Sequence, residues 1–148
     1  MPADQVDLLV IGIGSDLHRD DAAGRVVADR VEALGLAGVG VRSLCQLVPE
    51  LVVDLARCAR AVFVDADPGC TEVTVRRVDP ADGGTTVTHH ATPAGLLRLA
   101  GAVGVRPPDA VQLGIPATHL GLGVVLSRQT RSGVETAIEM ITRLVAGT

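Results

Sequence analysis

Three stretches of this 148-residue sequence carry side chains that could act together in chemistry. The first is Gly12-Ile13-Gly14-Ser15-Asp16-Leu17-His18-Arg19-Asp20-Asp21, the second Asp65-Ala66-Asp67, and the third Thr88-His89-His90. Each has a plain reading when taken alone. Asp20 suits a helix N-terminus, where a carboxylate satisfies free N–H groups and the macrodipole. That role leaves the adjacent Asp21 unexplained, its side chain free to point at a sheet edge. Asp65 ends the run Ala-Val-Phe-Val and is either a turn residue before Pro68-Gly69 or a functional group. A histidine pair in a polar loop is more often solvated than functional. Together, carboxylate, carboxylate and imidazole form a ligand set that suits a divalent transition metal and leaves room for outside ligands.

Other chemistries fit less well. Gly12 and Gly14 permit a tight turn and close backbone approach, as in phosphate-binding loops. A dinucleotide fingerprint, however, needs a third glycine where Leu17 stands, and a Walker loop needs a lysine, of which the sequence has none. Asp16, Asp20 and Asp21 would repel a phosphate. The sequence offers no Ser-His-Asp set in a recognisable chain context and no HExxH helix. Asp16 is the nearest candidate for an additional acid or base, with a helix-entry turn as its plainer role.

The elements that must position these groups follow from hydrophobic patterning. Val6 to Gly14 is a near-continuous apolar run ending in glycines, as in a strand covered on both faces. Ala23, Val26, Val27, Val31 and Leu34 recur at helical spacing, and Gly35 closes that helix. Residues 39–44 read as a second strand, and Pro49 opens a helix to about Arg60. Residues 61–65 form a short buried strand, followed by a β-branched run over 71–78. Residues 79–88 read as loop and residues 93–103 as helix. Residues 110–115 form the last strand, and 133–145 a closing amphipathic helix. This order predicts a three-layer α/β/α sandwich with a mostly parallel twisted sheet of about five strands, in one domain spanning 1–148. A hairpin-like pair around Phe63 and Val75 is expected to supply an antiparallel edge. In such sheets ligands bind beyond the carboxyl ends of the strands, where the three polar stretches fall.

Composition narrows the functional classes. Hydrophobic residues make up 47% of the chain and charged residues 20%, which marks a globular protein. The net charge is −4 and there is one aromatic residue, Phe63, so the chain has no stacking platform for bases and nucleic-acid binding is disfavoured. No apolar run approaches the roughly 18 residues of a membrane span, and the first residues lack a signal-peptide pattern, so the expected location is cytoplasmic. Cys45, Cys58 and Cys70 are odd in number and far apart, which argues against a disulfide framework or a CxxC zinc site.

Several of these segments, in order, resemble the hydrogenase maturation proteases, endopeptidases that trim the C-terminus of the large subunit of nickel–iron hydrogenases. The resemblance runs through Gly12-Ile13-Gly14-Ser15 with Asp20-Asp21, Gln46-Leu47-Val48-Pro49-Glu50-Leu51, Phe63-Val64-Asp65-Ala66, and His89 followed by Pro93 and Leu96-Leu97. Leu113-Gly114-Ile115-Pro116, Leu126-Ser127 and Ala137 continue it to the end of the chain. It implies an aspartyl-type endopeptidase acting on a nickel-loaded large-subunit precursor, with Asp21, Asp65 and His89 as the metal ligands. His89 keeps the family's distance to the Leu-Leu pair, whereas His90 is one residue off. The resemblance also implies that nickel is presented by the substrate, with no permanent cofactor, although a divalent metal can occupy the site. The hydrogenase precursor is the expected partner and a monomer the expected state. A non-catalytic assembly factor that docks on the same precursor is the alternative. The chain departs from the family pattern at Ser15, where asparagine is usual, and at Ala22, where glycine often follows the acidic pair. It also has Ser43-Leu44-Cys45-Gln46-Leu47 in place of a glycine-rich stretch that bears on substrate choice.

Overall fold

The computed structural model describes residues 5–83 and 92–147. In chain order its elements are β1 (Val6–Ile13), a 3-10 turn (Arg19–Ala22), α1 (Ala23–Leu34), β2 (Val39–Leu44), α2 (Leu51–Leu55) and β3 (Cys58–Asp67). There follow β4 (Thr74–Arg77), a second 3-10 turn (Pro80–Gly83), α3 (Pro93–Ala102), β5 (Asp109–Pro116) and α4 (Arg128–Ala146). The strands form one sheet in the order β2-β1-β3-β5-β4. β2, β1, β3 and β5 run parallel, and β4 lies antiparallel against β5. The expected mostly parallel α/β sandwich is thus what the chain forms.

Two apolar layers explain why the central strands are hydrophobic on both faces. On one side Leu8, Val10, Val62, Val64, Leu113 and Ile115 pack against Val27 and Val31 of α1 and Val134, Ala137 and Ile141 of α4. On the other, Leu9, Ile11, Ala61 and Phe63 meet Leu51 and Leu55 of α2 and Leu96 and Leu97 of α3. Successive β1 side chains therefore go to opposite layers, and Leu8 through Ile11 are all buried. Removing a wholly buried leucine such as Leu55 or Leu97 would cost roughly 2–5 kcal/mol.

Four elements differ from the sequence expectation; the first is β3, read as residues 61–65, which runs from Cys58 to Asp67. The antiparallel edge strand exists, but β4 pairs with β5 and not with the strand carrying Phe63, because β5 inserts between them. The helix after Pro49 stops at Leu55, since Cys58 and Arg60 are already paired with Val6 and Leu8 of β1. Sheet pairing here overrides local helical patterning. The closing helix begins at Arg128, five residues before its apolar stripe, because the Ser127 hydroxyl accepts a hydrogen bond from the Thr130 N–H at 3.3 Å.

Candidate functional site

The chain leaves β1 in one direction to form β2 and later builds β3 on the other side of β1, so strand order reverses between β1 and β3. Such a switch point opens a crevice at the carboxyl ends of the two strands. Here those ends are the Gly14–Ser15 turn and Asp65–Asp67. Two glycines let the backbone close in on this point. A Cβ on Gly24, in the first turn of α1, would lie 2.2 Å from the Val64 carbonyl, and one on Gly14 would lie 1.9 Å from the Asp21 carbonyl. Any side chain at either position would push α1 or its entry turn away from the sheet edge.

Asp21 lies in the 3-10 turn that enters α1, and its Oδ2 accepts a hydrogen bond from the Ser15 N–H at 2.9 Å. The Ser15 contact comes from the main chain and does not depend on which side chain stands there. Asp65 is half-buried on β3. Burial pushes its carboxyl up to about 6, against the hydrogen bond from the Ala66 N–H, and the Asp21 and Asp67 charges push it the same way as burial. Asp21 is thus close enough to Asp65 for their charges to interact, while Asp67 turns one oxygen to the Gly69 N–H at 2.8 Å. A cleft of about 460 Å³ opens beside Asp65, lined among others by Arg76, Gln112, Thr92 and Pro93.

Of the three expected ligands, Asp21 stands in the entry turn of α1, where its charge acts on Asp65, and Asp65 lines the cleft just described. His89, with its neighbour His90, lies outside the described residues. Among the described residues no three His, Cys, Asp or Glu side chains converge as a complete metal site. The Asp21 and Asp67 charges acting on half-buried Asp65 are of the kind that a positive partner relieves.

Asp20 has a different part from the helix cap suggested by its position. It is wholly buried and accepts five hydrogen bonds from the segment after β5. The donors are the N–H and Oγ1–H of Thr118, the N–H of His119, and the N–H and Oγ–H of Ser127, at 2.7–3.2 Å. Burial alone would raise this carboxyl, but the donors of Ser127, His119 and Thr118 outweigh it and hold the group well below the usual carboxylate range. Asp20 thereby fixes the entry turn of α1 to the loop that leads into α4. Nothing in the sequence near Asp20 identifies partners so far along the chain; the Leu126-Ser127 step before a helical run is the only local trace.

Asp16 is exposed and ion-paired with Arg25 at 3.0 Å, which accounts for it without an acid–base role. The Ser15 hydroxyl lies 2.7 Å from Nδ1 of His18, a contact within one exposed turn. All three cysteines are free. No helix among the described residues is long and apolar enough to cross a membrane.

No protein-family model matches this sequence, and no curated protein matches it. Solved structures do share its architecture. The hydrogenase maturating endopeptidase HybD from E. coli aligns with a TM-score of 0.76 at 21% identity, over 96% of this chain and 93% of its own. The NiFe hydrogenase maturation protease HycI from Thermococcus kodakarensis aligns at 0.69 with 24% identity, over 97% and 95% of the two chains. The hydrogenase 2 maturation peptidase from a Thaumarchaeota archaeon also aligns at 0.69, with 20% identity over 94% and 97%. The chain therefore has the fold of the hydrogenase maturation endopeptidases along nearly its whole length.

Proposed function

We propose that this protein is an endopeptidase that removes a C-terminal peptide from the nickel-loaded large-subunit precursor of a nickel–iron hydrogenase. The observation that carries this reading is Asp65, a half-buried carboxylate pushed up to about 6 by burial and by Asp21 and Asp67, at the switch point of a hydrogenase maturation endopeptidase fold. Two acids so arranged repel one another until a cation arrives. In this reading the cation is nickel already installed in the precursor, a part of the substrate. Asp21, Asp65 and His89 hold it, and the grip seats the precursor's tail against the protease. A precursor without nickel lacks that anchor, so cleavage follows only after loading. The protein works as a cytoplasmic monomer and needs no resident cofactor.

Incubation of the purified protein with nickel-loaded and nickel-free precursor, followed by mass spectrometry, tests the proposal. Release of a C-terminal peptide from the loaded form alone is expected. Asp65→Ala and His89→Ala should abolish release, and the Asp65 variant should stay folded, with a stability change on the order of 1–2 kcal/mol. An intact precursor after incubation with wild-type protein overturns the protease reading in favour of a non-catalytic assembly factor.

A further inference from the structure

A second feature lies away from the carboxylate crevice, on the helical face formed by α1 and α4. A groove of about 530 Å³ runs there, with Val26, Leu126 and Val134 among its lining residues and Arg30, Arg128 and Arg131 also lining it. Its size is within the range of sites that take a ligand or a peptide side-chain cluster. Its one carboxylate, Glu135, is bound by the guanidinium of Arg30, so the charge left over at the groove comes from Arg128 and Arg131. These two arginines stand in the first turns of α4, which has no acidic residue in its first turn. Cations at that end oppose the helix macrodipole, so helix stability does not explain them.

An exposed apolar loop leads along the chain to Leu126 of the groove. Leu17, Leu122, Val124 and Val125 are 65–80% exposed, whereas most large hydrophobic residues of the chain are covered. They are held in place: the Gly123 N–H donates to the Leu17 carbonyl, Gly123 accepts from the Arg19 N–H, and Arg19 Nε donates to the Val125 carbonyl at 3.1 Å. The five hydrogen bonds of Asp20 fix both ends of this loop, at Thr118–His119 and at Ser127. Apolar side chains presented on an immobilised backbone lose little entropy on binding. Exposed apolar surface beside arginines that have no ion pair among the described residues is the complement of a segment that is itself apolar and acidic.

We propose that the α1–α4 groove and the Leu122–Val125 loop together dock an acidic, apolar segment of the substrate polypeptide, remote from the bond that is cut. That the polypeptide is the hydrogenase precursor rests on the protease reading; the chemistry of the groove does not.

The test has two arms. In the first, a labelled peptide of about ten alternating leucine and glutamate residues is titrated against the whole protein by fluorescence polarisation, with a leucine–lysine peptide as control. The acidic peptide should bind at least about tenfold more tightly than the control, and Arg128→Glu with Arg131→Glu should remove that preference, as should high salt. Equal binding of the two peptides, or binding unmoved by the double substitution, overturns the proposal. Because both arginines are exposed, the variant should fold, and Arg128→Gln with Arg131→Gln gives a milder version showing a smaller loss. In the second arm the precursor is the ligand. The double variant should raise KM about tenfold and leave kcat within about twofold, the signature of lost uniform binding. A precursor cleaved with unchanged KM by the double variant overturns the groove as its dock. Acidic-peptide binding by a wild-type protein that cleaves no precursor overturns the protease reading alone and leaves the groove standing.

Discussion

Asp20 and Asp65 sit at the same edge of one sheet, are both withdrawn from solvent, and titrate in opposite directions. Asp20, with no exposed surface, is held low, while the less buried Asp65 is pushed up to about 6. Burial pushes both carboxyls up; the supply of donors separates them. Asp20 gathers five hydrogen bonds, three of them from main-chain N–H groups that cannot turn away. Asp65 has the Ala66 N–H against the charges of Asp21 and Asp67. A carboxylate whose charge is fully met by the protein is a structural clamp. One whose charge is left over is available to something that arrives from outside.

The contrast breaks most visibly if Asp20 is removed. Asp20→Ala should cost about 2–3 kcal/mol in urea unfolding, because the donors of Thr118, His119 and Ser127 that face this buried carboxylate lose their acceptor. Hydrogen exchange in residues 117–127 should accelerate more than in the sheet. Asp20→Asn, which keeps one acceptor and loses the charge, should lie in between.

Acid titration separates the two groups by sign. Asp20 is lowered from 3.8, so its stabilisation is complete at neutral pH and drains away as pH falls below about 4. Asp65 is raised from 3.8 to about 6, so it costs stability above about 6, and that cost disappears as pH falls between those values. After allowance for solvent screening the Asp65 term is on the order of 1–2 kcal/mol. Asp65→Asn should therefore be more stable than wild type at pH 7 and indistinguishable from it near pH 4. Urea midpoints at the two pH values check this; a variant less stable at pH 7 would make Asp65 a structural residue.

The smallest effect is expected at Asp16, whose only ion pair is exposed. Asp16→Asn should change stability by no more than about 0.5 kcal/mol and leave precursor cleavage within about twofold, measured on the same preparations. A large loss of cleavage would mean that Asp16 has a role its pairing with Arg25 does not reveal.

The same comparison marks what the residues disclose without coordinates. The strand carrying Asp65 and the glycine-ended strand before Ser15 are legible, because buried parallel strands are apolar on both faces, although β3 runs on to Asp67. Asp21 and Asp65 are legible as groups of the carboxyl edge, because β1 and β3 run parallel and end there. The work of Asp20 is not legible, since its donors are supplied about a hundred residues downstream by main-chain groups that any residue type could offer. Nor is the place of β4, because the pairing of residues 74–77 depends on a strand that comes later in the chain. The arginines of the α1–α4 groove read as ordinary solvated charges until the helix start at Ser127 shows which end of α4 they occupy.

That late-arriving strand also has a consequence for how the protein is made. On the ribosome, β1, β2 and β3 can assemble as soon as they emerge, but Thr74–Arg77 has no strand to join until β5 is synthesised. Through that interval the β5-facing edge of β3 is a long apolar template with unmet backbone groups, the kind of edge onto which another chain adds. In the finished molecule β5 covers it, and the new border is the short β4 with exposed Arg76 and Arg77, which discourages further strand addition. The nascent chain's period of greatest exposure to misassembly thus ends when residues 109–116 slide into the sheet.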